Sequence, residues 1–460
     1  MYQIDFNKPC HVHFIGIGGI SMSGLAEILL EKNFTVSGSD EKESELIRIL
    51  RKAGADVTIG QAAANIKRPD VVVYTAAVHS DNPELQEVYR RHIPLMTRAE
   101  LLGELMLNYR ESVNVAGTHG KTTTTSMITQ ILLGTEKDPT VSVGGVLKSI
   151  GGNIRIGASD VFVAEACEYC NSFLSFYPTL SVVLNVEADH LDFFRDIDDI
   201  RHSFREFIMR LPQDERGFLV INGDIHHVEY FLEGLKCGHV TFGKSPSYDY
   251  AAKDITYDGK ACASYTLLKK GKEVVRVKLS VPGQHNVYNS LAAIAACERL
   301  GITAEEAAGE LVFYTGTDRR FQVRGEVDGW TVIDDYAHHP QEITATLKAA
   351  QLYPHGKLAV IFQPHTYTRT KALLNEFAGA LMLADEVIVA DIYAAREQDI
   401  YGVNAEDLVK RINQIGGNAV HPGDFEKIKN YVKENLSPGD VLITMGAGNV
   451  VEIADSLTER

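Results

Sequence analysis

The 460-residue chain is 45% hydrophobic and 23% charged, ordinary values for globular domains, and at ~150 residues per domain it has room for about three. Its formal net charge of −16 argues against a nucleic-acid-binding surface, which needs a basic stripe. Small anionic ligands stay open, because glycine turns, helix starts and a few local cations hold those. No stretch is apolar and long enough to span a bilayer, and the opening MYQIDFNKPCHVHF lacks a basic segment followed by an apolar run, so a soluble, cytoplasmic protein without a membrane partner is expected.

The first segment, residues 1–108, opens with a short buried strand from His11 to Ile17, a glycine-rich turn and a helix from Ile20 to Leu30. Further strands are expected in FTVSGSD and in VVVYTAAV (71–78), and a helix from about Glu100 to Leu107 closes it. Strand–helix alternation of this kind implies a parallel, Rossmann-like sheet. The second segment, 109–318, begins with the strand ESVNVAG, a phosphate-type loop and a helix from Lys121 to about Leu133. Strands DVFVAEA, LSVVLNV and GFLVING follow, then shorter β-like runs such as VVRVKLSVPG, then the small-residue helix VYNSLAAIAACERLG. The third segment, 319–460, alternates again: strand TVIDDY, a helix from Gln341, strand KLAVIFQ, a helix to Ala384, strand EVIVADIY, and VLITMGAG before a last short helix. The fold class expected is α/β in three domains: a Rossmann-like N-terminal domain, a central P-loop domain with a mainly parallel sheet, and a C-terminal Rossmann-like domain.

The stretch AGTHGKTTTT (116–125) departs from the G-x-x-x-x-G-K-[ST] phosphate loop, since Val115 stands where its first glycine would be. Its context is nevertheless right: a β-branched strand precedes it and a helix follows. Gly117 and Gly120 allow close backbone approach to an anion, helix-start N–H groups point at that anion, Lys121 adds a positive charge, and Thr122 offers a hydroxyl to magnesium. The plainer alternative is a glycine-containing turn with a surface lysine.

Two acidic stretches follow strands of the same segment: Glu165 and Glu168 in VFVAEACEY, and Glu187, Asp189, His190 and Asp192 in VVLNVEADHLDFF. Strand ends of a parallel sheet are where such folds bind ligands, and hard oxygen ligands beside phosphates suit magnesium. Alone, each stretch reads equally well as a solvated turn. GIGGISMSG (16–24) falls short of the dinucleotide fingerprint, because Ser21 takes the place of its third glycine; Asp40 lies about where a ribose-binding acid sits. That stretch either holds a nucleotide diphosphate or packs a strand tightly on a helix. In PGQHNVYN, Asn286 and Asn289 lie one helical turn apart, to bind a base edge or to cap the helix. QPHTYTRT offers His365 and Arg369, an arginine suited to a carboxylate, and DDYAHHP ends another strand with Asp335, Tyr336 and His338. Of the six cysteines, Cys167 and Cys170 form a C-x-x-C in EACEYC. The acidic neighbours would raise a thiol pKa, which favours unpaired thiols over a redox pair.

HFIGIGGISMSGLAE, GSD, DNPE, RAELLGEL, AGTHGKTTTT, EACEY, SFLSFYPTLSVVLNVEADHLD, GQHNVYN, RRFQ, DDYAHHP, QPHTYTRT and MGAGN, in this order over nearly the whole chain, closely resemble the Mur ligases. The resemblance implies a UDP-binding N-terminal domain, a central ATPase domain and an amino-acid-binding C-terminal domain. It implies a reaction of peptidoglycan precursor synthesis, in which ATP is a co-substrate and L-alanine is joined to the lactyl carboxylate of UDP-N-acetylmuramate through an acyl phosphate. By the same resemblance, Gly117, Thr118, His119, Gly120, Lys121, Thr122 and Thr123 surround the ATP phosphates, with Thr122, Glu165 and His190 serving two Mg2+ ions. His285, Asn286 and Asn289 match positions around adenine, and Arg320 and Asp335 match contacts to phosphates and ribose. Gly18, Gly19, Ser21 and Asp40 lie at the UDP group. Tyr336, His338, His365 and Arg369 take the amino acid, with Arg369 on its carboxylate, so that Lys121, Glu165, His190 and Arg369 form the expected catalytic set. Position 366 is Thr, where some relatives place a second arginine, and Cys167 stands where relatives often have Asp. A related enzyme that attaches a tripeptide to the same sugar nucleotide, and a nucleotide-binding regulator without ligase activity, are the competing readings. A monomer or homodimer is expected.

Overall fold

The structure is a computed structural model that describes residues 2–191, 193–395 and 397–459; Asp192 lies outside the described residues. The chain packs as two compact units, Met1–Thr241 with Ala295–Gly301, and Phe242–Ile294 with Ile302–Arg460.

The first unit holds two parallel sheets. The N-terminal one orders its strands Asp56–Ile59, Thr35–Asp40, His11–Ile15, Val71–Tyr74 and Leu95–Thr97, all paired in parallel. Strand order reverses on either side of His11–Ile15, and the carboxyl end of such a reversal is where open α/β sheets form a ligand crevice. The glycine-rich turn occupies that place and leads into the helix Ile20–Glu31. Central strands of the second sheet run Phe218–Asn222, Leu180–Val183, Glu111–Ala116, Val161–Ala166 and Thr140–Leu147. All four of these contacts are parallel, and Gly152–Arg155 adds an antiparallel edge. Near-continuous apolar sequences in these strands are what a sheet covered on both faces requires, and Val113, Val115, Val163, Val182 and Val183 are fully buried.

Both sheets of the first unit share one apolar core, running from Val12, Phe14 and Leu25 to Phe162, Phe173 and Phe207. Gly103, in the helix Arg98–Met106, explains how closely they approach: a Cβ at this position would overlap the main-chain oxygen of Ser175. The segment Tyr169–Ser175, which carries part of the candidate site, is thus seated on the N-terminal sheet's last helix.

In the second unit, the antiparallel strands Tyr250–Tyr257, Cys262–Lys269 and Lys272–Pro282 are followed by a six-stranded sheet. Its order is Gln322–Val327, Trp330–Asp335, Val441–Met445, Leu358–Phe362, Glu386–Val389 and Ala419–Val420, parallel except for the first pair. Separate apolar clusters cover its two faces, one around Phe362 and Phe377, the other around Trp330 and Ile361. The three α/β sheets agree with the expected class, whereas packing places 1–241 and 295–301 in one unit and so divides the expected second segment, 109–318, between the two. Among the described residues, no helix is long and apolar enough to cross a membrane.

Gly103→Ala adds a good helix former but forces a clash with backbone. Overpacking of this kind costs about 1–3 kcal/mol, so the variant is expected to melt several degrees lower by calorimetry, whereas a melting temperature at or above the wild-type value would show that the contact yields.

Candidate active site

At the carboxyl edge of the central sheet, Val115 and Ala116 lie in register with Glu165 and Ala166 on one side, and Ala116 pairs Val183 on the other. The three chain segments that leave those strands therefore meet. The loop turns at Gly117 (φ 151°) and Gly120 (φ 84°), backbone that side chains with a Cβ rarely adopt. A Cβ on Gly117 would also lie 2.9 Å from that of Leu184. Gly120 caps the helix Lys121–Gly134 without a side-chain hydrogen bond, leaving helix-start N–H groups to face the loop's concave side.

Asn185 fixes this loop, and sequence reasoning did not single it out. Its Oδ1 accepts from the His119 N–H (2.7 Å), its Nδ2 donates to the His119 carbonyl (3.0 Å), and its own carbonyl accepts from Thr118 N–H (3.3 Å). Thr118 Oγ1 accepts from Glu187 N–H at 3.0 Å, and His119 Nε2 lies 3.4 Å from Glu187 Oε2.

Lys121 Nζ donates to the carbonyls of Gly117 (2.5 Å) and Thr118 (3.1 Å) and to Glu168 Oε2 (2.9 Å). Burial opposes a charged ammonium here, but Glu168, Cys167 and Glu165 outweigh it and hold the lysine pKa above its ordinary value. The other oxygen of Glu168, Oε1, is buried without a hydrogen-bond partner and sits 3.9 Å from His190 Nε2. Thr122 Oγ1 donates to Glu165 Oε2 (2.8 Å), which also accepts from Gly144 N–H (2.9 Å). Thr122 and Glu165 are thus paired, while His190 meets Glu168 and Asp189 (3.8 Å from Oδ2). His190 takes a left-handed backbone (φ 53°) and its ring lies 4.5 Å from that of Tyr169. Thr123 is the third residue of the same helix. Burial pushes the Cys167 thiol up to about 11, with Glu168 adding to the shift and Lys121 opposing it, as expected of an unreactive thiol.

A metal ion suits these donors in one respect: the buried, unpartnered oxygen of Glu168, with the Thr122 hydroxyl and Glu165 nearby on the same loop system, offers hard oxygen atoms of the kind magnesium prefers. Among the described residues, no group of three or more His, Cys, Asp and Glu side chains is arranged to hold a metal unaided. A nucleotide-borne Mg2+ with few protein ligands fits that arrangement.

In the N-terminal sheet, Asp40 Oδ2 accepts from Gly18 N–H at 2.8 Å. Gly19 caps the next helix without a side-chain bond, and Ser21 is exposed in its first turn.

The second unit carries its own polar cluster. Asp335, at the end of its strand, accepts from Phe321 N–H (2.8 Å) and Ala337 N–H (2.7 Å). Arg320 lies over the Tyr336 ring at 5.4 Å and 3.7 Å from Glu342. Glu342, a further residue the sequence reading passed over, accepts from His338 N–H at 3.1 Å, and His338 Nδ1 is 3.0 Å from the Tyr336 carbonyl. His338 and His365 rings lie 5.9 Å apart, and His365 stacks on Tyr393 at 5.6 Å. Arg369 Nη1 lies 3.2 Å from His365 Nδ1. Because arginine only donates, Nδ1 accepts and Nε2 of neutral His365 carries the hydrogen. Burial and Arg369 hold this imidazole down to about 4, which keeps it neutral near pH 7. Asn286 donates to the Pro282 carbonyl (2.7 Å) and Asn289 to Asn286 Oδ1 (3.0 Å), while neighbouring His285 is exposed at the start of the same helix.

Burial pushes the Asp335 carboxyl up to about 6, against the pull of Arg320 and two backbone N–H groups. The folded state therefore keeps a proton that the unfolded chain releases near its ordinary value of 3.8. The cost of burying the charge is complete above about pH 6 and is relieved as pH falls toward 4. Relative to Asp335→Asn, which does not titrate, wild type should gain on the order of 3 kcal/mol between pH 7 and pH 4 in urea denaturation; a pH-independent difference would contradict the assignment.

Comparison with known proteins agrees with this geometry. The chain matches the models for the Mur ligase family catalytic domain over residues 11–110, the Mur ligase middle domain over 115–297, and the Mur ligase glutamate ligase domain over 319–448. It is 56% identical to the UDP-N-acetylmuramate–L-alanine ligase of Agathobacter rectalis over the full length of both, and 54% identical to that of Lachnospira eligens over 99% of this chain and all of that one. Among solved structures, the UDP-N-acetylmuramate-alanine ligase MurC of Thermotoga maritima superposes with a TM-score of 0.80 at 30% identity, over 98% of this chain and 99% of that one. A murein peptide ligase of Psychrobacter arcticus gives a TM-score of 0.69 at 25% identity, over 97% and 98%. The chain belongs to the Mur ligase family.

Proposed function

We propose that this chain is an ATP-dependent ligase that joins L-alanine to the lactyl carboxylate of UDP-N-acetylmuramate, and that it works in the cytoplasm. The observation that carries the reading is the buried Lys121–Glu168 pair beside the turn at Gly117–Gly120, in a chain 56% identical along its length to a ligase of that name. Working domain limits are 1–108 for the sugar nucleotide, 109–318 for ATP and 319–460 for the amino acid.

Two anions, the lactyl carboxylate and the γ-phosphate, must approach, so their repulsion has to be screened. Lys121 supplies one positive charge: it leaves Glu168 and the loop carbonyls for the γ-phosphate, while backbone N–H groups of residues 117–123 cradle the β- and γ-phosphates. Magnesium, when bound, supplies further charge neutralisation on the phosphates, and Thr122, Glu165, Glu168 and His190 are the residues we assign to hold it. The carboxylate oxygen attacks the γ-phosphorus, ADP leaves, and an acyl phosphate forms. The unprotonated amine of L-alanine then attacks the acyl carbon, the acyl C–O bond breaks, and inorganic phosphate leaves with the oxygen that had attacked phosphorus, while the other carboxylate oxygen becomes the amide carbonyl and the nitrogen loses a proton to solvent. Arg369 is assigned to the alanine carboxylate as a charge-assisted donor, beside the Nε2–H of His365. Tyr336 and His338 line the same side, and Arg320 and Asp335 serve the nucleotide. His285, Asn286 and Asn289 are assigned to adenine, and Gly18, Gly19, Ser21 and Asp40 to the UDP group.

ADP release with UDP-N-acetylmuramate and each of L-alanine, L-serine, glycine and murein tripeptide tests the reading. Turnover is expected with L-alanine foremost, and turnover with the tripeptide alone would refute it. Lys121→Met should lower kcat by about 10³-fold, the scale for removing a preorganised charge from a transition state. Asn185→Ala, which deletes both side-chain bonds to His119, should raise the KM for ATP by roughly tenfold with the sugar nucleotide KM unchanged.

A further inference from the structure

A buried carboxylate beside a buried imidazole lies in the N-terminal sheet, in residues to which the reaction gives no role. Glu84, near the start of the helix Pro83–Arg91, is fully buried, and His13, in the first strand, is 2% exposed. His13 Nε2 stands 3.8 Å from Glu84 Oε2. The same carboxylate accepts from Ser39 Oγ–H (2.5 Å), Asn65 Nδ2–H (2.5 Å) and Ala62 N–H (3.4 Å). His13 Nδ1 shares a hydrogen bond with Ser37 Oγ (2.9 Å), which His11 Nε2 also reaches (2.7 Å). Burial alone would raise the Glu84 carboxyl, but the neighbouring His13 and the hydrogen bonds from Ser39 and Asn65 outweigh it and hold it below the ordinary glutamate range.

A buried carboxylate in this position is not what stability alone calls for, since well-packed apolar residues of similar volume are often neutral or better. Its bonding points elsewhere. Ser39 spends its hydroxyl on Glu84, and its carbonyl accepts from both Gly16 N–H (2.9 Å) and Ile17 N–H (3.0 Å). The next residue, Asp40, accepts from Gly18 N–H. Successive amides of the glycine turn are therefore pinned to the end of one strand, and that strand end is pinned by Glu84. The turn leads into the uncapped start of the helix Ile20–Glu31, at the reversal of strand order.

We infer that Glu84, acting through Ser39, is a positioning residue for the sugar nucleotide: it fixes the glycine turn so that the following helix start is aligned on the UDP diphosphate. The inference rests on the ligase reading for the identity of that ligand. Glu84 makes no contact with substrate; its effect passes along the bonds Glu84–Ser39 and Ser39 carbonyl–Gly16/Ile17.

The test uses the full-length protein, measuring UDP-N-acetylmuramate binding by calorimetry and steady-state turnover for all three substrates. Ser39→Ala removes one hydroxyl, Glu84→Gln keeps the shape and removes the charge, and Glu87→Gln on the same helix is the control. Ser39→Ala and Glu84→Gln are each expected to weaken sugar nucleotide binding and raise its KM about tenfold, the scale of a lost buried hydrogen bond to a charged group. The KM for ATP, the KM for L-alanine and kcat should stay within about twofold. Because both changes act on one bond, the double variant should be no weaker than the poorer single one. Unchanged sugar nucleotide affinity in folded variants, multiplicative effects in the double variant, or a parallel loss of kcat and every KM would each overturn the inference while wild type still turned over. Wild-type protein that binds no UDP-N-acetylmuramate would overturn the ligase reading and this inference together.

Discussion

Everything at the central site depends on one buried ion pair. Lys121 has left water for a position between two loop carbonyls and Glu168, and removing either partner would leave an uncompensated buried charge, a cost of several kcal/mol. The pair therefore holds the loop in shape without nucleotide. The second oxygen of Glu168 lacks a hydrogen-bond partner and lies beside His190.

The sheet is what makes the pair possible. Only a parallel arrangement brings the ends of Glu111–Ala116, Val161–Ala166 and Leu180–Val183 to one edge, where the first supplies Lys121, the second Glu168 and the third Asn185. The second unit repeats the principle on a different sheet, with Asp335 ending one strand and His365 following another. The first sheet adds a third case, in which Asp40 and Ser39 at a strand end hold a glycine turn. Each of the three α/β sheets thus gathers polar side chains at a strand-end edge.

Sequence patterns exposed most of this framework. Apolar runs broken by glycine marked the strands, and at the G-K-T core Gly117, rather than an earlier glycine at the position of Val115, makes the sharp turn. Other features were illegible for physical reasons. Glu165 and Glu168 are equivalent as letters; only the fold shows that Glu168, two residues past the strand, meets Lys121 while Glu165, within it, meets Thr122. Asn185 carries no spacing signal, since its two bonds to His119 span 66 residues. Asn286 and Asn289, one turn apart, bond to the helix's own neighbourhood and to each other, a pairing that their spacing allowed but did not select. The union of the first two sheets depends on a backbone contact between Gly103 and Ser175, and nothing local to either residue announces it.

The central claim is that this edge activates a carboxylate by phosphoryl transfer rather than merely hydrolysing ATP. Turnover of UDP-N-acetylmuramate labelled with 18O in the lactyl carboxylate, with ATP and L-alanine, followed by mass analysis of the inorganic phosphate, addresses it directly. An acyl phosphate requires one labelled oxygen to pass from carboxylate to phosphate in each turnover. Unlabelled phosphate alongside ligated product would contradict the account.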